Sequence, residues 1–236
     1  TRRELDSFGP ELFIHLAATF ERSTETYDFW SENFRHNVRL SHHLMTMVKD
    51  SPSLKRVIFA SSYLIYDPRL YQFSSPRSAA VSLKEDSPIV PRNLTGMAKL
   101  SHEIELSFLD QFRQESFSSC CVRIFRGYGR GSRDIISRWV RTLVRGEPID
   151  VYREEGAFDF TYSKDNAEGL LRIAAASECP PVVNLGTGQA RRVSDVLQVL
   201  RRHFPGMTEH HIDSDIPFEA AQADISVMRT VTDWQP

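Results

Sequence analysis

Apolar residues follow two different spacings along the chain, and together these predict an alternation of strands and helices. Short apolar runs near residues 11, 57 and 119 each end in small or polar residues, as is typical of buried parallel strands. Between residues 96 and 114 apolar side chains recur every four positions, which predicts a helix. A further helix is predicted over residues 134–144, with Trp139 and Leu143 directed inward. Strands alternating with helices indicate an α/β fold on a parallel sheet.

Three other helices are predicted from periodicity and from capping residues. Ser41, Met45 and Val48 fall on one face of a helix that begins near residue 37. Asp165 is expected to cap a helix over residues 166–176, and Ser194 is expected to cap the helix that follows.

Composition places the chain among ordinary globular proteins. Its 236 residues suffice for one domain, or for one domain with a smaller lobe, and 41% of them are hydrophobic. Lys and Arg number 29 against 31 Asp and Glu, a net charge of −2, so we expect no nucleic-acid partner. No apolar run is long enough to span a membrane, and the first residues do not resemble a signal peptide.

The three cysteines show neither a metal-binding spacing nor a disulfide framework. Cys120 and Cys121 lie in an apolar run, and Cys179 precedes two prolines. The sequence therefore predicts no metal site and a cytoplasmic location.

One stretch, Val57 to Lys99, organises the candidate chemistry. A buried strand runs into Ser61 and Ser62, a proline-rich loop follows over residues 67–92, and the next helix carries Lys99. Loops of this length in compact domains are often functional. A hydroxyl at the carboxyl end of a strand and a lysine on the following helix can face the crevice in which open α/β sheets bind ligands.

This stretch resembles the extended short-chain dehydrogenase/reductases, in particular the NAD-dependent sugar-nucleotide epimerases and dehydratases. The family pattern is a strand ending in Ser-Ser, a Val-Tyr-Gly-like turn, Glu-Asp…Pro…Pro and then Tyr-x-x-x-Lys. The matching residues are Ser61, Ser62, Ile65, Tyr66, Glu85, Asp86, Pro88, Pro91 and Lys99. Thr95 stands in the position of the tyrosine. Similar matches at residues 15–18, 37–45 and 182–188 extend the resemblance over nearly the whole chain.

The resemblance implies a Rossmann-like, doubly wound parallel sheet with a small C-terminal substrate-binding lobe. We assign residues 1–130 and 155–195 to the Rossmann-like core, and residues 131–154 and 196–236 to the lobe. The family's first strand and its Gly-x-x-Gly-x-x-Gly turn have no counterpart before residue 11. Either this sequence is part of a longer chain, or the protein has abandoned the usual cofactor site. We favour the first, because an open sheet without its central strands would expose strand edges and apolar faces.

The resemblance also implies a cofactor, NAD or NADP, and a set of residues around it. The residues expected to bind the cofactor are His15, Ala17, Ala18, Ser61 and Lys99. The candidate catalytic residues are Ser62, Lys99, Thr95 and Tyr63. In the family a tyrosine exchanges a proton with a sugar hydroxyl, and an aliphatic hydroxyl does not match it in pKa. Tyr63 is the candidate replacement, because it follows Ser62 where dehydratases place an acidic residue.

Arginines are concentrated after the strand near residue 119. Arg126, Arg130 and Arg133 lie on a loop before a helix, and guanidinium groups bind phosphate oxygens in bidentate fashion. The glycines of this loop do not form a dinucleotide fingerprint, because the third comes one residue too early. The segment resembles the family's Arg-x-x-Asn-x-Tyr-Gly-Pro, which lies under the sugar nucleotide. The residues expected to bind substrate are Asn37, Arg126, Tyr128, Arg130 and Arg133.

Three interpretations of the Thr95 substitution stay open. The protein is an NAD(P)-dependent epimerase, dehydratase or reductase of a nucleotide-activated sugar in which another group replaces the tyrosine. Alternatively, it is a catalytically impaired member that binds a nucleotide or sugar nucleotide as a regulatory or scaffold subunit. Thirdly, Thr95 is an engineered change in a trapped enzyme. The family also implies a homodimer formed through the Lys99 helix, with Leu106, Phe108 and Phe112 either at that interface or in the core.

Overall fold

The computed structural model describes residues 2–20, 25–112 and 117–236 of the chain. The helices of these residues are α1 (Arg2–Phe8), α2 (Trp30–Asn33), α3 (Leu40–Val48), α4 (Leu94–Phe112), α5 (Ile135–Val144), α6 (Ser163–Ala175), α7 (Val193–His203) and α8 (Ser226–Thr232). A π-helical turn, Phe34–Arg39, joins α2 to α3, and short 3₁₀ turns cover Tyr27–Phe29, Tyr63–Ile65 and Pro68–Leu70.

The strands of the same residues are mostly short. They are β1 (Leu12–His15), β2 (Arg56–Ser62), β3 (Gln72–Phe73), β4 (Val81–Leu83), β5 (Ser118–Ile124), β6 (Arg126–Tyr128), β7 (Ile149–Val151), β8 (Ala157–Phe158), β9 (Phe160–Tyr162), β10 (Val182–Leu185), β11 (Arg191–Arg192), β12 (Glu209–His211) and β13 (Phe218–Ala223).

The central sheet is parallel throughout, in the order β1-β2-β5-β10. Ile58 of β2 pairs with Cys120 of β5, and Val183 of β10 pairs with Val122. All four strands therefore end at the same edge of the sheet, and the predicted parallel α/β fold is confirmed.

Side chains of β2 alternate between two apolar layers, as the pleat of a strand requires. Val57 and Phe59 pack with Met45 of α3 and Leu106 of α4 on one face. Ile58, on the other face, packs against residues of α6 and α8. Each fully buried aliphatic or aromatic side chain stabilises the fold by about 1.5–3 kcal/mol. Helices on both faces make the sheet doubly wound.

A second group of elements forms a smaller body beyond the carboxyl ends of the central strands. Its sheet has the order β11-β8-β13-β3, with β4 parallel to β13. Trp139, Leu143, Val193 and Leu197 join α5 to α7 in a separate apolar cluster. The predicted α5 is confirmed, with Asp134 accepting hydrogen bonds from the main-chain nitrogens at its start. The domain boundaries given above stay a prediction.

Two predicted helix caps are wrong. The helix α6 begins at Ser163, so Asp165 lies inside its first turn and does not cap it. Likewise α7 begins at Val193, which places Ser194 within the helix. The carboxylate of Asp195 instead accepts a 2.9 Å hydrogen bond from the main-chain nitrogen of Arg192.

The helix α4 exposes part of its apolar stripe. Leu106 is fully buried in the core, whereas Ile104, Phe108 and Phe112 are 48%, 54% and 80% exposed. Among the residues described, no helix combines the length and the apolar character needed to cross a membrane.

Candidate active site

The carboxyl end of β2 presents two serines in different environments. Ser61 is buried, and its hydroxyl donates a hydrogen bond to the carboxylate of Glu103 on α4. Ser62 is partly exposed, and its Oγ accepts a 3.2 Å hydrogen bond from the main-chain nitrogen of Leu64. Ser61 therefore ties the sheet to α4, while the Ser62 hydroxyl can still donate its own hydrogen to a ligand.

The helix α4 holds Lys99 against the end of the same strand. Its Nζ donates a 2.6 Å hydrogen bond to the carbonyl oxygen of Ala60 and lies 4.7 Å from the ring centre of Phe59. Burial lowers the pKa of Lys99 to about 8, although Glu103 opposes this shift. The predicted proximity of the lysine to the Ser61–Ser62 end of β2 is found in the structure.

A glycine allows α4 to approach this closely. A Cβ atom on Gly96 would lie 2.6 Å from the carbonyl oxygen of Leu64, inside van der Waals contact. Gly96 lies one turn before Lys99 on the side of α4 that meets the Tyr63–Ile65 turn. Because Gly96 has no Cβ, α4 can pack closely against this turn, and Lys99 reaches the end of β2.

Thr95 is buried at the start of α4 and is bound by an acidic residue from a distant loop. Its hydroxyl donates a hydrogen bond to the carboxylate of Glu25. The same carboxylate accepts a 2.7 Å hydrogen bond from the main-chain nitrogen of Leu94. Glu25 thus caps α4 and accepts the hydrogen bond that the Thr95 hydroxyl donates. It was not among the predicted site residues, because the polar loop after β1 has no periodicity that singles it out.

The loop after β1 is fixed by two buried polar side chains that the sequence assigned to ligands. The first, His15, is 2% exposed, and its Nε2 lies 2.8 Å from the hydroxyl of Ser41. Burial, then the neighbouring His102 and Lys99, lower the pKa of His15 to about 4. Ala17 and Ala18, which follow it, are exposed.

The second of these side chains, Asn37, makes hydrogen bonds within the protein through both of its amide atoms. It accepts from the main-chain nitrogen of Thr19 at 2.7 Å, and it donates at 2.7 Å to Thr19 O and to Asn33 Oδ1. This geometry favours a structural role for Asn37. Its role in substrate binding stays a prediction.

Tyr63 lies in a buried polar network instead of an open crevice. Its hydroxyl donates a 2.8 Å hydrogen bond to Glu219, which also pairs with Arg92 at 2.5 Å. Arg126 donates to the oxygen of Tyr63 at 3.2 Å. Burial raises the pKa of Tyr63 above its usual value near 10. The geometry disfavours Tyr63 as the acid or base that replaces the missing tyrosine, although that role stays a prediction.

The three arginines assigned to phosphate lie in two environments. The guanidinium of Arg126 stacks 4.1 Å from the ring centre of Phe158 within the buried network. Arg130 and Arg133 are exposed, and the guanidinium of Arg133 lies 5.2 Å from the ring centre of Phe20. Arg130 and Arg133 are therefore available to a ligand, whereas Arg126 is already engaged by the protein.

Tyr128 is only partly buried, and its ring centre lies 5.6 Å from that of Tyr162. Burial raises its pKa. Its position on β6, in the same loop region as Arg130, leaves its substrate role a prediction.

The donors at this edge of the sheet fit the ribose and nicotinamide of a dinucleotide. Lys99 carries three N–H groups, of which one donates to Ala60 O, and Ser62 has a hydroxyl at the end of the same strand. Ala17 and Ala18 follow β1 and are exposed, and their role in binding the cofactor stays a prediction. Among the described residues no group of three or more His, Cys, Asp or Glu side chains is arranged to hold a metal ion.

Comparison with known proteins identifies the family. The model of the NAD dependent epimerase/dehydratase family matches residues 1–186, which is most of the chain. The protein therefore belongs to this family, and the resemblance recognised in the sequence is confirmed. No curated protein sequence matches the chain.

Solved structures share the fold over nearly the whole chain. MoeE5 in complex with UDP-glucose and NAD is 25% identical, with a TM-score of 0.76 over 95% of this chain and 73% of that one. The UDP-glucuronic acid 4-epimerase of Bacillus cereus, in complex with UDP-glucuronic acid and NAD, is 22% identical, with a TM-score of 0.81 over 100% and 72%. The dehydratase TunA is 23% identical, with a TM-score of 0.78 over 99% and 73%.

Proposed function

We propose that the protein carries out NAD-linked epimerisation, dehydration or reduction of a nucleotide-activated sugar. The observation that carries this proposal is the position of Lys99, whose ammonium group is bound at the carboxyl end of β2 close to Ser62. Membership of the NAD dependent epimerase/dehydratase family supports it. So does the similarity to MoeE5, which binds NAD together with UDP-glucose or UDP-glucuronic acid.

Each residue of the crevice has a proposed part in this reaction. A bound, oxidised nicotinamide would supply the acceptor for a hydride from a sugar carbon. Lys99 would donate hydrogen bonds to the nicotinamide ribose, and its pKa of about 8 keeps most of it protonated at neutral pH. Ser62 orients the sugar hydroxyl. Thr95 lies one helical turn before Lys99 on the same helix.

The nucleotide-sugar end is proposed to lie toward the loop that precedes α5. Arg130 and Arg133 are exposed there and present guanidinium groups suited to a diphosphate. Arg133 contacts the ring of Phe20 from the loop after β1, so a ligand bound there meets both loops. Arg126, held by Tyr63 and Phe158, lies four residues before Arg130 at the start of β6.

The direct test is the appearance of product signals in NMR and mass spectra of the nucleotide sugar when UDP-glucose or UDP-glucuronic acid is added to the protein with NAD or with NADP. We expect a signal that disappears in Lys99→Ala and persists in Lys164→Ala, an exposed lysine on α6. If Lys99→Ala leaves turnover unchanged with every nucleotide sugar that is accepted, the proposed site is wrong. The coenzyme that gives the signal decides between NAD and NADP.

The presence of Thr95 in place of the family's tyrosine favours a second candidate function, the binding of a nucleotide sugar without redox chemistry. An aliphatic hydroxyl alone is a poor general base near neutral pH. In this case calorimetry would detect nucleotide-sugar binding while the nucleotide sugar is recovered unchanged, and Arg133→Ala would weaken the binding. Affinity unchanged in Arg133→Ala would remove the phosphate role.

We further propose that the protein forms a homodimer through α4. Ile104, Phe108 and Phe112 are exposed at four-residue intervals, and the ring centres of Phe108 and Phe112 lie 6.4 Å apart in a stacked arrangement. An exposed apolar stripe of this kind on a helix is typical of a surface that another subunit covers.

A further inference from the structure

We propose that Thr95 and Glu25 form a two-residue proton relay that replaces the tyrosine of the family. This inference rests on the proposed function and deepens it, since it assigns the proton acceptor that the sequence left unidentified. It is carried by the hydrogen bond from the Thr95 hydroxyl to the Glu25 carboxylate, in the helical turn that precedes Lys99.

The arrangement supplies what each group lacks by itself. An aliphatic hydroxyl such as that of Thr95 is not deprotonated near neutral pH, so it cannot act as a base by itself. It can accept one proton while it passes its own proton to a neighbour. Glu25 provides a carboxylate, which is a better proton acceptor than the neutral hydroxyl of Thr95. The main-chain nitrogens of Leu94 and Thr95 donate to the same carboxylate at 2.7 and 3.3 Å. Its position is therefore fixed by the start of α4.

The step balances in atoms and charge. The O–H bond of the sugar breaks, and its proton moves to Thr95 Oγ1. The hydrogen of Thr95 passes to Glu25, which becomes a neutral carboxylic acid. The carbon that bore the hydroxyl becomes a carbonyl carbon as its hydride leaves to an oxidised nicotinamide. In an epimerisation the same protons return when the carbonyl is reduced from the other face.

The first test compares substitutions in the NAD-loaded protein with UDP-sugar as the substrate. We expect Glu25→Gln to lower kcat at least roughly 100-fold with little change in KM, because glutamine keeps the hydrogen bond to α4 but accepts no proton. Thr95→Ser should keep kcat within about tenfold, whereas Thr95→Val should lose as much as Glu25→Gln. Glu155→Gln, an exposed carboxylate on another loop, is the matched control and should behave as the wild type.

A second variant separates this inference from the proposed function. Thr95→Tyr supplies the phenol of the family, and in the Glu25→Gln background it should restore turnover. If Thr95→Tyr is active and the wild type is not, the site is correct and the relay is wrong. If neither turns over any nucleotide sugar, the proposed function fails and the relay with it.

A third measurement does not depend on turnover. Carbodiimide and an amine nucleophile should modify Glu25, detected by peptide mass spectrometry, and bound UDP-glucose should protect it. Calorimetry should show the same UDP-glucose affinity for wild type and Glu25→Gln. A Glu25→Gln variant that keeps kcat close to that of the wild type would overturn the relay and leave Glu25 as a helix cap.

Discussion

The hydroxyl of Tyr63 donates a 2.8 Å hydrogen bond to Glu219, a residue 156 positions later in the sequence. This contact joins the end of β2 to β13. The buried carboxylate of Glu219 also pairs with Arg92. The network therefore connects the central sheet to the smaller body beside the crevice.

We predict that Glu219→Ala strongly destabilises the fold. It would leave the guanidinium groups of Arg92 and Arg126 without their buried carboxylate, a change that typically costs about 3–5 kcal/mol. Urea denaturation should show this loss as a lower midpoint. Glu147→Ala, which breaks an exposed pair with Arg145, should change the free energy of unfolding far less. Equal effects of the two variants would contradict this account of the network.

Gly96→Ala tests the close approach of α4 to the end of β2. Alanine favours a helix by about 0.5–1 kcal/mol over glycine, but overpacking a fixed backbone typically costs about 1–3 kcal/mol. We expect a net loss of stability, since the added Cβ would meet the carbonyl oxygen of Leu64 at 2.6 Å. Thermal denaturation would show it, with the exposed Ser107→Ala on the same helix as control. A more stable Gly96→Ala protein would mean that α4 can shift freely.

Much of this arrangement could be predicted from local sequence patterns. Val57, Ile58 and Phe59 form an apolar run long enough to specify a buried strand, and the four-residue spacing before Phe112 specified α4. The family motif then placed Lys99 near Ser62. These features depend on neighbours within a few residues, so a single sequence carries them.

The remaining contacts could not be predicted because they join distant parts of the chain. Glu25 meets Thr95 across 70 positions, and no periodic pattern marks the loop on which it lies. Arg126 is suited to phosphate by residue type, and the pattern gave no sign that β6 would place it 3.7 Å from Glu219. Its role in substrate binding stays a prediction. One sign of Glu219 was visible: it is the lone acidic residue of β13, with Phe218 before it and two alanines after it.

The buried His15 predicts a dependence of stability on pH. Its pKa is about 4 in the folded protein and about 6.5 when unfolded, so between these values the unfolded chain binds more protons. Stability should therefore fall as the pH decreases from 6.5 to 4, by an amount on the order of 3 kcal/mol from this residue. His15→Gln should flatten that part of the profile, whereas the exposed His203→Gln should not. Parallel profiles for wild type and His15→Gln would refute the assignment.

The exposed stripe on α4 predicts an effect on assembly. Phe108→Ser combined with Phe112→Ser should convert the proposed dimer to monomer in sedimentation velocity runs, because it removes two stacked rings from the surface. Leu171→Ser, which replaces an exposed leucine on α6, should leave the dimer intact. A wild-type protein that sediments as a monomer at all concentrations would contradict the proposed interface.

The most direct test of the central claim is a calorimetric titration of the protein with NADH. We predict binding in the micromolar range for the wild type and for Lys164→Met. Lys99→Met should bind at least roughly tenfold more weakly, because a hydrogen bond from a charged group contributes about 1.5–3 kcal/mol. A folded protein that binds no NADH, or a Lys99→Met variant that binds as tightly as the wild type, would show that the crevice at the end of β2 is not a nicotinamide site.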